Sequence, residues 1–298
     1  MSERAFLPKS EAWWRSPLVR VGGLWLVLIG MFLAIWLVLG QGHGAAPADH
    51  VRTSAPDYRP TAMFFVFFAI ILAFFLYLQR RFRRFSTANA AGLQALADGE
   101  YEKAGSTFER LARSYRWPKL VRTVSAQNLA IARLYQGRLP EALSALETAE
   151  RESRWAPHLR PNIAAFLAVT NAVRGSLDVA RRWREETAQR ATSAQDPALA
   201  AGFLTFADAV IGVREGKYAE VIKTLDERWA QIEGSLTART TRPMRVLRAF
   251  AIAQSRGKRD AGKVQKTMAS LEPIRPGEFA LLEAEWPEVA AFLRVHGG

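Results

Sequence analysis

Two stretches of this chain run for a bilayer's depth without a charged residue, and they limit what the rest can become. Residues 21–40 (VGGLWLVLIGMFLAIWLVLG) and 61–78 (TAMFFVFFAIILAFFLYL) contain no Asp, Glu, Lys, Arg or His. At about 1.5 Å of rise per residue, helices of this length cover roughly 30 Å, the hydrocarbon thickness. Neither shows the polar stripe that a soluble core helix carries. They are expected to be transmembrane helices, with Trp13, Trp14, Tyr58 and Tyr77 near their ends at the interfaces. A cleaved signal peptide is the alternative for the first, given Ala45-Ala46-Pro47-Ala48, but its apolar run exceeds a signal core. With no ionisable group inside them, the spans read as anchors rather than as ion or proton paths. Ala62, Ala69 and Ala73 line one side of the second span, either as a helix-packing face or as ordinary composition.

Charge fixes the expected orientation. Residues 1–20 carry a net +2, the loop 41–60 is neutral, and Arg80, Arg81, Arg83 and Arg84 follow the second span. Positive flanks stay on the cytoplasmic side, so both termini are expected inside and the short loop outside, as in a bacterial inner membrane. The basic juxtamembrane linker, 79–85, is also expected to meet anionic lipid. Of the whole-chain net charge of +13, +7 falls in residues 91–298.

From residue 86 onward Ala, Leu, Arg and Glu dominate and hairpin signals are missing, which predicts helices. One phrase recurs, a helix, a glycine turn and a second helix opened by an apolar and then a small residue. It appears at Gly99/Tyr101/Ala104, Gly137/Leu139/Ala142, Gly175/Leu177/Ala180 and Gly216/Tyr218/Val221, with glycines 38, 38 and 41 residues apart. Gly257 begins a degenerate fifth copy. Seven residues before each glycine stand Gly92, Ala130, Ala168, Ala209 and Phe250, four of them small enough for close helix approach. Such periodicity predicts stacked helix pairs.

These positions resemble the tetratricopeptide repeat (TPR) family, whose small, turn, aromatic, alanine and aromatic signature matches Gly92, Gly99, Tyr101, Ala104 and Phe108. The resemblance covers residues 86–270 and fades after Gly216; the spacing is longer than that family's usual 34, and its closing proline is mostly missing. It implies an all-α chain. A transmembrane hairpin (helix 21–40, outer loop 41–60, helix 61–78) precedes a TPR-like α-solenoid of about five helix pairs (86–271). A capping segment, 272–298, would cover the last apolar face with Trp286, Phe292 and Leu293. The resemblance also implies a concave groove lined by Gln127, Asn128, Ile131, Leu134, Asn162, Phe166, Phe203 and Phe206. The family's carboxylate clamp has basic residues where this chain has Asn89, Leu93, Asn162 and Phe166, so a helical or extended peptide fits this groove better than an acidic tail.

A second candidate surface comes from charge alone. Arg239, Arg242, Arg245, Arg248, Arg256, Lys258, Arg259, Lys263 and Lys266 face a single acid, Asp260, between residues 239 and 266. It reads either as a site for an acidic peptide, a phosphate-bearing ligand or anionic lipid, or as a solvated face. Arginine outnumbers lysine 33 to 8 throughout, so arginine richness alone carries little.

Catalytic signatures are missing. The chain has no cysteine, no phosphate loop and no dinucleotide fingerprint, and His43, His50, His158 and His296 are scattered. His43, His50 and Asp49 in a flexible loop are too little for a metal site. The expectation is therefore no enzyme, no cofactor, no metal and no nucleic-acid partner. The leading reading is a membrane-anchored scaffold or adaptor that recruits a protein partner to the cytoplasmic face. Two readings stand beside it. One is a structural subunit of a larger membrane complex. The other is an accessory role near tetrapyrrole synthesis, implied by a resemblance to HemY-type bacterial membrane proteins that rests on residues 79–84 followed by 96–101.

Overall fold

The computed structural model describes residues 59–115, 119–256 and 260–296. The first candidate span and residues 41–58 of the expected outer loop lie outside these residues, as does Gly257; residues 59 and 60 of that loop are helical. The chain divides into two compact units, residues 1–73 and 74–298. The described part is helical, with twelve α-helices and two short 3₁₀ turns.

Helix α1 (Arg59–Asp98) is 40 residues long and contains the second candidate span. In the first unit, Val66 and Ile70 on this helix are exposed. In the second unit, Phe74, Leu76 and Tyr77 are exposed, whereas Phe85, Gly92, Ala95 and Leu96 are buried. The helix thus changes along its length from apolar on its surface to amphipathic. Then follow α2 (Tyr101–Ser114), α3 (Lys119–Tyr135), α4 (Leu139–Glu152), the 3₁₀ turns Ser153–Trp155 and Pro157–Leu159, and α5 (Arg160–Val173). The remainder is α6 (Leu177–Ala191), α7 (Pro197–Arg214), α8 (Tyr218–Ser235), α9 (Ala238–Arg256), α10 (Ala261–Ala269), α11 (Ala280–Glu283) and α12 (Pro287–His296).

Four helix pairs are joined by one hydrogen-bonded device. Gly99, Gly137, Gly175 and Gly216 have φ between +72° and +83°, a region that side chains with a Cβ rarely enter. At each, the following amide reaches back to the last turn: Glu100 N to Ala95 O at 2.8 Å, and Arg138 N to Arg133 O, Ser176 N to Asn171 O and Lys217 N to Gly212 O, each at 2.9 Å. This is the Schellman closure, which satisfies carbonyls that a helix end leaves orphaned and turns the chain back on itself. Helix starts are set locally as well. Asp196 Oδ1 accepts from Leu199 N at 3.0 Å, and Pro197 supplies a pre-set φ at the first helical position.

Small residues let the paired helices approach. Ala104, Ala142, Ala168 and Ala180 are fully buried. Gly92 makes room for the Phe108 ring, which a Cβ there would meet at 2.7 Å. Leu134, Ile163, Leu167, Phe206, Val210 and Leu247 form one continuous core with Leu281, Leu282, Trp286 and Phe292 from the C-terminal segment. Helix α7 is apolar and long enough to cross a membrane by length and composition, but half of it is buried within the protein, and it serves as a core helix.

The C-terminal segment does more than cover the last pair. Phe250 holds Trp286 and Phe292 edge-on, with ring centroids 6.3 and 5.5 Å away. From there the segment reaches the first two pairs: Arg275 Nη1 donates to the Asp98 carbonyl at 2.7 Å, and Ala280 O lies 3.0 Å from where a Cβ on Gly137 would sit. Glu285 faces Arg174 at 3.5 Å, and Arg214 Nη2 donates to Glu285 O at 2.8 Å. Residues 275–286 therefore form a strap that ties the last helix pair to the four before it.

Candidate functional site

The α9 arginines come every three residues, and a three-residue step falls about 60° short of a full helical turn, so the four sweep about 180° around the helix. They consequently meet different neighbours. Arg239 lies over the stacked rings of Tyr101 and Tyr135, 5.1 and 5.7 Å from their centroids. Arg242 pairs with Glu278 and donates to Leu271 O at 2.5 Å, fastening the strap. Arg245 binds Glu233 at 2.6 Å and sits over the Trp229 ring at 5.3 Å. Arg248 binds Asp226 at 2.6 Å. Each charge has an acid or an aromatic face from the protein itself.

The outer half of this sweep meets α10. Arg245, Arg248, Lys263 and Lys266 line a hollow of about 520 Å³ with Trp229, Thr267, Ser270 and Asp226. Arg248 Nη1 donates to Thr267 Oγ1 and Arg245 Nη1 to Ser270 Oγ, at 3.3 and 3.4 Å. Lys263 pairs with Asp260 at 3.2 Å. Arg245 is the main cause, with the Trp229 side chain second, that holds the Glu233 carboxyl below its ordinary value. Of the remaining basic positions, Lys258 and Arg259 lie outside the described residues, and Arg256 is described only as the last residue of α9.

The groove positions are mostly interior. Leu134, Phe166 and Phe206 are buried in the core, and Gln127 and Asn128 are buried beside them; Ile131, Asn162 and Phe203 remain half-exposed. Phe166 and Phe203 pack ring to ring at 5.0 Å, and Asn128 Nδ2 donates to Asn89 Oδ1 at 3.0 Å. Gln127 Oε1 is buried without a hydrogen-bond partner. Tyr135 on α3 lies against Thr240 on α9, their hydroxyl oxygens 3.5 Å apart. Burial raises the Tyr135 phenol to about 12.

No protein-family model matches this chain, and no curated protein or solved structure matches it either.

The arginines that follow the second candidate span divide by role. Arg80, Arg83 and Arg84 are exposed, whereas Arg81 is half-buried. Arg81 donates to Tyr77 OH at 3.2 Å and to Ser114 O at 3.3 Å, and stacks on Tyr115 at 5.1 Å. Tyr115 OH in turn donates to Arg81 O at 3.1 Å. Among the described residues no group of three or more histidines and acids is placed to hold a metal; His43, His50 and Asp49 lie outside them.

Two sites were not visible in the sequence. Arg214 is half-buried against Trp286, 4.2 Å from the ring, and also donates to Val173 O. Burial pulls its guanidinium below the ordinary arginine value. Glu215, next to it, accepts from Lys217 at 2.6 Å and from Arg181 at 2.7 Å, and these cations, Lys217 first, hold its carboxyl below the usual range. The only sequence signal was their place beside the turn at Gly216.

Proposed function

We propose that this protein is a membrane-anchored scaffold of TPR-like helix pairs that holds a protein partner at the cytoplasmic face of a bacterial inner membrane. The observation that carries the reading is α1. An uncharged stretch with exposed Phe74, Leu76 and Tyr77 is followed by four arginines, and the same helix then becomes the first member of the helix stack. Exposed apolar surface of that kind marks contact with lipid or another protein, and basic residues at its end fit the cytoplasmic side. Stacked helix pairs offer broad, rigid binding surfaces.

With much of the concave side filled by the protein's own residues, the faces open to a partner are the outer helices α4, α6 and α8 and the basic hollow between α9 and α10. Crosslinking mass spectrometry in native membranes tests the reading. It predicts integral-membrane behaviour under alkaline carbonate, together with a stoichiometric partner crosslinked to residues beyond 86. A carbonate-soluble protein, or membranes that yield no recurrent partner, would refute it.

A further inference from the structure

We propose that the loop end of the helix stack rests on the anionic leaflet from which α1 emerges, with Trp155, in contact with Lys119 and Arg154, as its interfacial anchor. The inference builds on the membrane reading of α1 and adds a second, sequence-distant contact with lipid.

The argument runs along one end of residues 74–298. Tyr77 and Arg81 are one turn apart on α1 and hydrogen-bonded. Helix α2 runs back from the Gly99 turn, so its last residues, Ser114 and Tyr115, arrive level with Arg81 and bind it. Helix α3 meets α1 where Asn128 Nδ2 donates to Asn89 Oδ1, so its start at Lys119, nine residues earlier, falls at the level of Arg80, nine residues before Asn89, and α4 returns from the Gly137 turn to end beside it. There Thr123 Oγ1 donates to Glu152 O at 3.3 Å, Arg122 pairs with Glu152, and Lys119 Nζ sits 5.4 Å from the Trp155 ring centroid. Arg154 approaches the same ring at 5.5 Å. The Trp155 loop is thus level with the residue that follows the apolar part of α1 by one turn, or about 6 Å of rise. A bilayer's headgroup zone on each side is about 5–7 Å deep.

The side chains present at this level match that zone. Trp155 is 51% exposed although it is among the largest apolar residues in the second unit. An indole flanked by cations is the combination that settles where acyl chains meet charged headgroups. Arg80, Arg83 and Arg84, exposed on α1, add to the same positive face. The glycine-turn end of the stack, by contrast, carries cations already paired with acids of the protein: Lys103 with Glu100, Arg138 with Glu102, Arg174 with Glu285 and Lys217 with Glu215. A leaflet rich in anionic lipid would therefore attract the loop end and not the turn end.

The chain has no cysteine, so single cysteines can carry a spin label without background. The full chain is reconstituted in nanodiscs of phosphatidylcholine with or without phosphatidylglycerol, bearing Pro157→Cys, Val179→Cys or Ile70→Cys. Pro157 is exposed two residues from Trp155, and Val179 is exposed just past the Gly175 turn. Collision with dissolved oxygen against a water-soluble nickel chelate then reports depth. The label at position 157 should lose nickel collisions severalfold relative to position 179 in the anionic discs. It should regain them when Lys119, Arg154 and Trp155 are all changed to serine. Equal nickel access at 157 and 179 in anionic discs would overturn the proposal, and would be the outcome if Trp155 instead serves a protein partner. A label at position 70 that reads as water would instead refute the membrane anchor itself, so the two failures are distinguishable.

Discussion

Replacing the turn glycines by alanine separates two contributions that the fold combines. Gly137, Gly175 and Gly216 share a left-handed backbone, with φ of +72°, +83° and +74°. An L-residue there costs roughly 1–2 kcal/mol. At Gly175 and Gly216 a new Cβ meets nothing within 4 Å, so that cost is the whole effect. At Gly137 the Cβ would lie 3.0 Å from Ala280 O and 3.2 Å from Ala284 Cβ, which are strap backbone and a short side chain with no flexible end to yield. Overpacking of this kind adds about 1–3 kcal/mol. Gly137→Ala is therefore expected to destabilise by roughly 2–4 kcal/mol and the other two by roughly 1–2 kcal/mol each. Urea titrations of the full chain in detergent, followed by far-ultraviolet circular dichroism, give the three differences. Hydrogen exchange of residues 275–286 gives the location: faster in Gly137→Ala and unchanged in Gly175→Ala. If all three variants lose the same stability, or if strap exchange does not respond to Gly137→Ala, the strap does not bear on that turn and the closure described above is wrong.

Further expectations follow from other contacts. Asp196→Ala removes the cap on Leu199 N and should cost about 1 kcal/mol in the same titration. Arg242→Met leaves the Leu271 carbonyl and Glu278 Oε1 without their donor, Oε2 keeping the Arg275 amide, and should cost about 1–3 kcal/mol, with strap exchange rising as well. Because the folded carboxyl of Glu215 titrates below 4.5, its contribution is complete above that pH and is lost as acid brings the protein through the lower folded value; Glu215→Gln should flatten this part of the acid limb. Tyr135, raised to about 12 from 10.0, works in the opposite sense: its contribution is complete below pH 10 and is lost as pH climbs through 12. Ultraviolet absorbance should show one phenol ionising only with alkaline unfolding, and Tyr135→Phe should remove it.

The helical class was legible because local rules dictate it: good helix formers interrupted at fixed intervals by glycines that only a left-handed turn requires. The Gly92–Phe108 match was legible for the same reason, since a small residue and a ring sixteen positions apart are brought together by one hairpin. What could not be read was how far the stack curls. Tyr135 meeting Thr240 and Arg275 meeting Asp98 are contacts across 105 and 177 residues, and no local periodicity records them. The groove residues were placed on the inner faces by their repeat position, but the degree of curl decides whether such a face is a groove or a core. The arginine strip was legible as charge. The acids that answer it come from two separate segments, Asp226 and Glu233 from α8 and Glu278 from the strap, so its neutralisation was not.

An ordinary repeat array has two ends, and thermal fraying begins there because a terminal unit has one neighbour where the others have two. Here the strap gives the first helix pair, through Asp98, a second neighbour. Partial unfolding cannot start cheaply at either extremity, and the array should melt in one step instead of peeling unit by unit. The same tie fixes the number of units, since a duplicated pair inserted between Gly137 and Gly216 would carry Arg275 out of reach of Asp98. A chain of similar helix pairs has in this way given up the freedom to lengthen by one pair more.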